Sequence, residues 1–294
     1  MTGVQTCALP ILLRRYSSNS ESLQVVAPEV IRHFLDDFRD GDYEGFPEAG
    51  LGYVALDDPQ LRSFCKLPET EEGVFVTHIR PRSPAQQAGL RTGDVLLGID
   101  EHDVDRFGEY DDPDHGRTAL ANLTTIRAQA GDVVDCHVWR DGQRRTIAME
   151  LASCPPEDYP IIPYSYNTAP DYVIRGGLVF VELSRPFLQE WGNKWRSKAP
   201  KKLVYYGRNQ WRTCEPGQRL VVLAAIFKTS ANRGFDHCRF RVLRRLNGMP
   251  IHRLGDIRKA MKAPLKGTYH RFLFKEPATQ IVLDEASIAR ADAR

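Results

Sequence analysis

The sequence has no apolar run near the roughly 18 residues that a membrane-spanning helix needs; its longest, Leu220 to Phe227, is strand-sized. It has six cysteines and no CxxC spacing, so it offers neither a zinc ribbon nor a disulfide framework. Cys136-His137 and His237-Cys238 are neighbours in sequence, and on a strand such neighbours point to opposite faces. Cys65, Cys136, Cys154, Cys214 and Cys238 are therefore expected to be buried or half-buried structural residues. The opening residues are not expected to be a secretory leader either. Ala8 to Leu13 is apolar, but Pro10 breaks it and Arg14-Arg15 follow it, whereas a signal peptide carries its charges first. The opening stretch, MTGVQTCALPI, resembles the translation of a common short-read sequencing adapter. Met1 to Ile11 is thus expected to be a library artefact joined to a gene fragment, with Cys7 carrying no biology and the true N-terminus missing.

What is present is the composition of a globular chain, 42% hydrophobic and 27% charged over 294 residues, a length that suits about two domains. The net charge of +2 conceals an asymmetry. Residues 1 to 160 hold 15 Lys and Arg and 28 Asp and Glu, a net of −13, and residues 161 to 294 hold 25 and 10, a net of +15. A basic half can bind phosphates or an acidic surface; two domains of opposite sign that attract one another, or are simply solvated, is the alternative. No nucleic-acid motif accompanies the charge.

An internal repeat organises the chain. AGLGYVALDDPQLRSF, from Ala49 to Phe64, aligns with GGLVFVELSRPFLQEW, from Gly176 to Trp191, at an offset of 127. Gly50, Leu51, Val54, Leu56, Pro59 and Leu61 recur as Gly177, Leu178, Val181, Leu183, Pro186 and Leu188. Each copy reads as a Gly-opened loop, a short strand, a Pro-bearing turn and a brief helix. Two copies of one domain follow, in a period too long for a solenoid.

In the first copy, SPAQQAGLRTGDVLLGIDEHDV begins with Ser83-Pro84, a turn and helix start, and reaches Gly89 at the left-handed position that ends the helix. Val95 to Ile99 reads as a strand, Arg117 to Ala128 as a helix carrying Leu120 and Leu123, and Val133 to Trp139 with Arg144 to Leu151 as a hairpin closed by Asp141-Gly142.

The run from Gly73 to Val104 resembles a PDZ domain of the HtrA/Deg proteases, in which SPA-x-x-AGL-x-x-GD recurs. The longer match, from about Ser18 to Ala286, resembles the two-PDZ Deg subgroup, where a trypsin-like domain precedes a regular and then a degenerate PDZ domain. The resemblance implies a mainly β, α+β fold: tandem small, partly open β-barrels with two helices each. It divides the chain into an adapter-like stretch 1–11, the last strand and exit helix of a protease domain at 12–45, a first PDZ domain at 46–154, a linker at 155–170, a second and degenerate PDZ-like domain at 171–285, and a tail at 286–294.

That family's Gly-rich nucleophile turn, of GNSGGP type, is absent, and none of the eight histidines stands in a triad pattern, so this chain is expected not to cleave peptide bonds although its parent does. No metal or other cofactor is expected. The resemblance implies instead the capture of a C-terminal or unfolded peptide as an added strand, with its carboxylate held by a Gly-containing loop. Glycine suits that loop because backbone N–H groups must approach one point closely. The loop is Gly50, Leu51, Gly52 and Tyr53, and a bulky residue or proline at Gly52 is expected to abolish binding. The groove is the strand Val54, Ala55 and Leu56 with Leu120, Leu123 and Thr124 opposite, the leucines serving either as pocket or as plain core. The second copy lacks the AGL-x-x-GD turn and carries an insertion from Asn193 to Arg212, so its own groove is in doubt, and Trp191, Trp195 and Trp211 are expected to pack that insertion down. Further partners implied are the parent's protease domain and other subunits of a homo-oligomer; the family resemblance suggests bacterial periplasm or cytoplasm. A stand-alone PDZ adaptor and a nucleic-acid or acidic-surface binder are the rival functions.

Overall fold

In a computed structural model, described over residues 11–15, 23–165, 167–215, 217–265, 267–276 and 279–293, the two aligned segments build the same elements twice. Residues 1–10, including Cys7, lie outside the described residues. The chain divides into two compact units, residues 1–154 and 155–294.

In the first unit a hairpin of Ile11–Arg15 and Leu23–Val26 leads to α1, Pro28–Asp37. Pro28 sits in its first turn, where a missing N–H costs nothing. His33 buries the helix: its ring stacks on Phe46 at 4.3 Å between centroids, and Nδ1 lies 3.2 Å from the Ile126 carbonyl. The main sheet is made of β1 (Leu51–Ala55), β2 (Val74–Ile79), β3 (Val95–Ile99), β4 (Val133–Arg140) and β5 (Gln143–Glu150), in the spatial order β5-β4-β3-β2-β1. It is an open sheet with β1 at one end. α2 (Pro59–Phe64) is capped by the Asp58 carboxylate, which accepts from Gln60 and Leu61. α3 (Pro84–Gln87) is capped by Ser83 and followed by Gly89 at φ +85°, the helix and stop that its sequence suggests.

One element departs from expectation. The segment read as a helix from Arg117 to Ala128 is a strand, Gly116–Ala119, paired with Glu109–Asp112, followed by a single 3₁₀ stretch from Leu120 to Thr124. Gly116 at φ +69° turns the hairpin, and Thr118, Thr124, Thr125 and Ile126 are β-branched residues that disfavour helix. Their local cost outweighs the i, i+3 spacing of the leucines.

The second unit repeats the plan with β6 (Tyr172–Arg175), β7 (Leu178–Glu182) and β8 (Val221–Ile226) in one sheet, and β9 (Leu243–Leu246), β10 (Tyr269–Phe274) and β11 (Gln280–Asp284) in another. Helices α4 (Arg185–Gln189), α5 (Trp195–Lys198), α6 (Lys201–Arg208), α7 (Gln210–Thr213), α8 (Leu254–Ala260) and α9 (Glu285–Asp292) complete it. The repeat extends to an irregularity: β1 bulges against β2 between Gly52 and Tyr53, and β7 against β8 between Val179 and Phe180, the same place at an offset of 127. The insertion forms α5, α6 and α7 around its own small core. There Trp195 and Leu203 are buried, Trp191 meets Phe187 and Phe240 edge-on, and Trp211 meets Tyr159, so the three tryptophans do pack the insertion onto its domain. His270 is a fully buried residue inside β10; its Nε2 pairs with Glu285 and its Nδ1 accepts from Asn247 Nδ2 at 2.9 Å. α9, sequence-read as a tail, buries Ile288 and packs on β6 and β11.

Candidate peptide-binding groove

The first copy leaves a strand edge available. Among the described strands β1 pairs only with β2, because the chain before Gly50 goes elsewhere: Pro47–Glu48 pairs with Ala152–Ser153. A β1 edge of this kind presents unpaired backbone donors and acceptors to an incoming strand. It is bounded at the far end, where the Leu56 N–H donates to the Arg106 carbonyl at 2.8 Å.

The loop entering β1 is held from beneath. The Ala85 N–H donates to the Ala49 carbonyl at 3.0 Å and the Arg80 N–H to the Gly50 carbonyl at 2.8 Å. Gly50 has φ +73°, and a Cβ there would overlap Ser83, 2.9 Å from its Oγ, and stand 3.2 Å from Arg80 Nε. Gly52 has no such need, since a Cβ would meet only ordinary contacts, His78 Cβ at 3.6 Å being the nearest. The conformational demand for glycine in the loop thus falls on Gly50 and not on Gly52.

Leu51 and Tyr53 pack partly buried against the main core, and Val54 is exposed. Leu56 is fully buried in a separate cluster with Leu67, Val95 and Leu97. Leu120, Leu123 and Thr124 belong to the 3₁₀ stretch and not to a longer helix. All three are buried, and both leucines belong to the main core, so as ligand contacts they can only floor a pocket.

Three further groups shape this site and carry no simple sequence signature. Arg80, buried beneath the loop, pairs with Glu48. Asp112 organises the hairpin opposite: it accepts from the Tyr110 hydroxyl at 2.9 Å, from Asp114 N–H at 2.9 Å and from Arg127 Nη2 at 2.7 Å. Burial alone would push its carboxyl up, but the donors from Asp114, Tyr110 and His115 outweigh this and hold it well below the usual carboxylate range. Burial, then the neighbouring Asp112, pushes the Tyr110 phenol up to about 12. The network forms because this segment is a hairpin followed by a 3₁₀ stretch, whereas the sequence reads as a helix from Arg117, which is why it does not point to the network.

The second copy closes the corresponding edge. Gly176 and Gly177, at φ +58° and +78°, form a two-residue turn between Arg175 and Leu178, the backbone that a type I′ hairpin demands. β6 therefore pairs along the edge of β7 that β1 leaves free, and α8 packs against both strands. The turn is covered as well: Gly176 N–H donates to Asp292 Oδ1 at 2.7 Å, and a Cβ on Gly176 would stand 2.8 Å from Leu283 Cδ1.

Comparison with known proteins agrees with this architecture. The PDZ domain family matches residues 54–151 and, in a second form, residues 161–294, so the chain is a tandem PDZ protein. The curated relatives it matches include Protease Do-like 2, chloroplastic, of Arabidopsis thaliana, 29% identical over 279 residues, covering 92% of this chain and 43% of the relative. Putative protease Do-like 3, mitochondrial, of the same plant is 24% identical over 280 residues, covering 94% and 46%. A solved HtrA-type protease, AlgW with decapeptide, is 23% identical, with a TM-score of 0.36 over 50% of this chain and 42% of that one. The chain belongs to the HtrA/Deg, or Do-like, family and is the PDZ region of such a protein; it spans less than half the length of these curated relatives.

Proposed function

We propose that this chain is the substrate-recognition part of a Do-like serine endopeptidase acting in protein quality control, and that its first PDZ domain captures the C-terminal end of unfolded or misfolded polypeptides. The observation that carries this reading is the free edge of β1 beside a loop whose Gly50 conformation excludes a side chain. A guest segment would add to β1 antiparallel, its carboxylate at Gly50, Leu51, Gly52 and Tyr53 and its backbone along Val54 and Ala55, over a floor of Leu120, Leu123 and Thr124; Leu56, expected from sequence to continue the groove, instead closes it, because its N–H is bonded to the Arg106 carbonyl. The domain limits that go with this reading are 46–154 and 171–285, with 12–45 as the end of the protease domain. Cleavage belongs to the parent protein, whose relatives are named as proteases, and the histidines of this chain serve structure, as His33 and His270 do. The parent's protease domain and other copies of the protein are the further partners. The edge of β7, already paired with β6, supports assigning no peptide to the second domain.

The test is a titration of the chain with a fluorescent peptide bearing a free carboxylate and with the same peptide amidated. Binding of the acid and not the amide supports the reading; equal binding of both, or of neither, removes it.

A further inference from the structure

We propose that Glu109 gives the β1 groove a preference for a basic residue, Lys or Arg, about five positions from the end of the bound peptide. The inference rests on the peptide-capture reading above and adds to it the chemistry of the residue that leaves the groove. β1 is five residues long, and at Leu56 the edge is taken by the Arg106 carbonyl. A guest strand anchored at the Gly50 loop therefore has room for about five residues, at one residue per residue of β1, before it must turn away at the loop from Asp105 to Glu109. The Tyr53 ring reaches across to that loop: a Cβ on Gly108 would stand 2.6 Å from Tyr53 Cε2. Glu109 is near enough to add, after burial, to the raised pKa of the Tyr53 phenol. So the ring, the loop and Glu109 share the exit of the groove.

The charges at that exit are unbalanced. Asp105 and Glu109 share one guanidinium, Arg117, whose Nε is 3.2 Å from Glu109 Oε2. Asp57 and Glu72 likewise share Arg106, at 3.3 Å from Asp57. Four carboxylates thus face two cations, and the cleft of about 450 Å³ that Glu72, Asp105, Glu109 and Arg117 line adds the paired Arg144 and Glu71 together with Asp103 and Asp111, neither of which has an ion pair among the described residues. The Arg117 side chain is 58% exposed, so its bond to Glu109 is a solvated pair that a ligand's cation can replace at small cost. A peptide with Glu at the same position meets like charge.

The test measures anisotropy with labelled peptides that carry a free carboxylate and differ only in Lys, Ala or Glu at the fifth position from the end, together with an amidated control. At low salt the Lys peptide should bind about two- to fivefold tighter than the Glu peptide, and the gap should narrow as salt rises. Glu109→Gln should abolish the gap and Glu109→Lys should reverse it, in variants whose melting matches the parent chain. Equal affinities in the parent chain, or a Lys preference that survives Glu109→Lys, would overturn the inference while leaving peptide capture intact. If no free-acid peptide binds better than the amide, peptide capture fails and this inference with it.

Discussion

At the scale of single residues, backbone conformation ranks the glycines of the entry loop. Gly50 occupies the left-handed region against Ser83, so Gly50→Ala should destabilise the first domain by at least about 2 kcal/mol, part from the left-handed backbone and part from overlap. Gly52→Ala should stay within about 0.5 kcal/mol. Parallel denaturant melts of the two variants decide this, and equal losses would refute the ranking. Asp112 makes a second residue-scale case. Its carboxyl is depressed in the folded state, so its contribution to stability is complete above about pH 4, the unfolded range, and fades as pH falls further toward the folded value. Asp112→Asn should therefore flatten the acid side of the stability profile, read from unfolding midpoints between about pH 5 and 2. An unchanged acid limb would show that Asp112 does not supply it.

At the scale of elements, the two copies differ in one hairpin, and that difference decides which strand edge is open. Gly176-Gly177 closes β6 onto β7, while Ala49-Gly50 lets the preceding residues pair elsewhere. The doublet GG against AG was visible in the sequence, yet its consequence was not, because the destination of the preceding strand depends on pairing with Ala152–Ser153, some hundred residues on. Strands with turn signals at both ends, such as Val95 to Ile99 or the Asp141-Gly142 hairpin, were legible from local pattern. The Leu120 to Thr124 segment was not, since leucine spacing fits a helix and a core-facing 3₁₀ turn equally. The insertion is an element with its own core, and Trp195→Ala should cost the second domain about 3 kcal/mol by opening a cavity among Leu188, Leu203 and Val222. Thermal unfolding followed by tryptophan fluorescence measures it; a loss under about 1 kcal/mol would mean the insertion packs loosely.

At the scale of the whole molecule, the chain joins one PDZ domain with an available edge to one whose edge is filled. The repeat at an offset of 127, legible from sequence, predicted twin folds and even shares its bulge position; the missing AGL-x-x-GD turn put the second groove in doubt, but not the strand pairing that fills its edge. Hydrogen exchange resolves the two domains directly. In the presence of saturating free-acid peptide, amides of Leu51–Ala55 should exchange more slowly and those of Leu178–Glu182 should be unchanged, with no effect from the amidated peptide. Unchanged exchange across Leu51–Ala55 at saturation, or protection confined to Leu178–Glu182, would contradict the account.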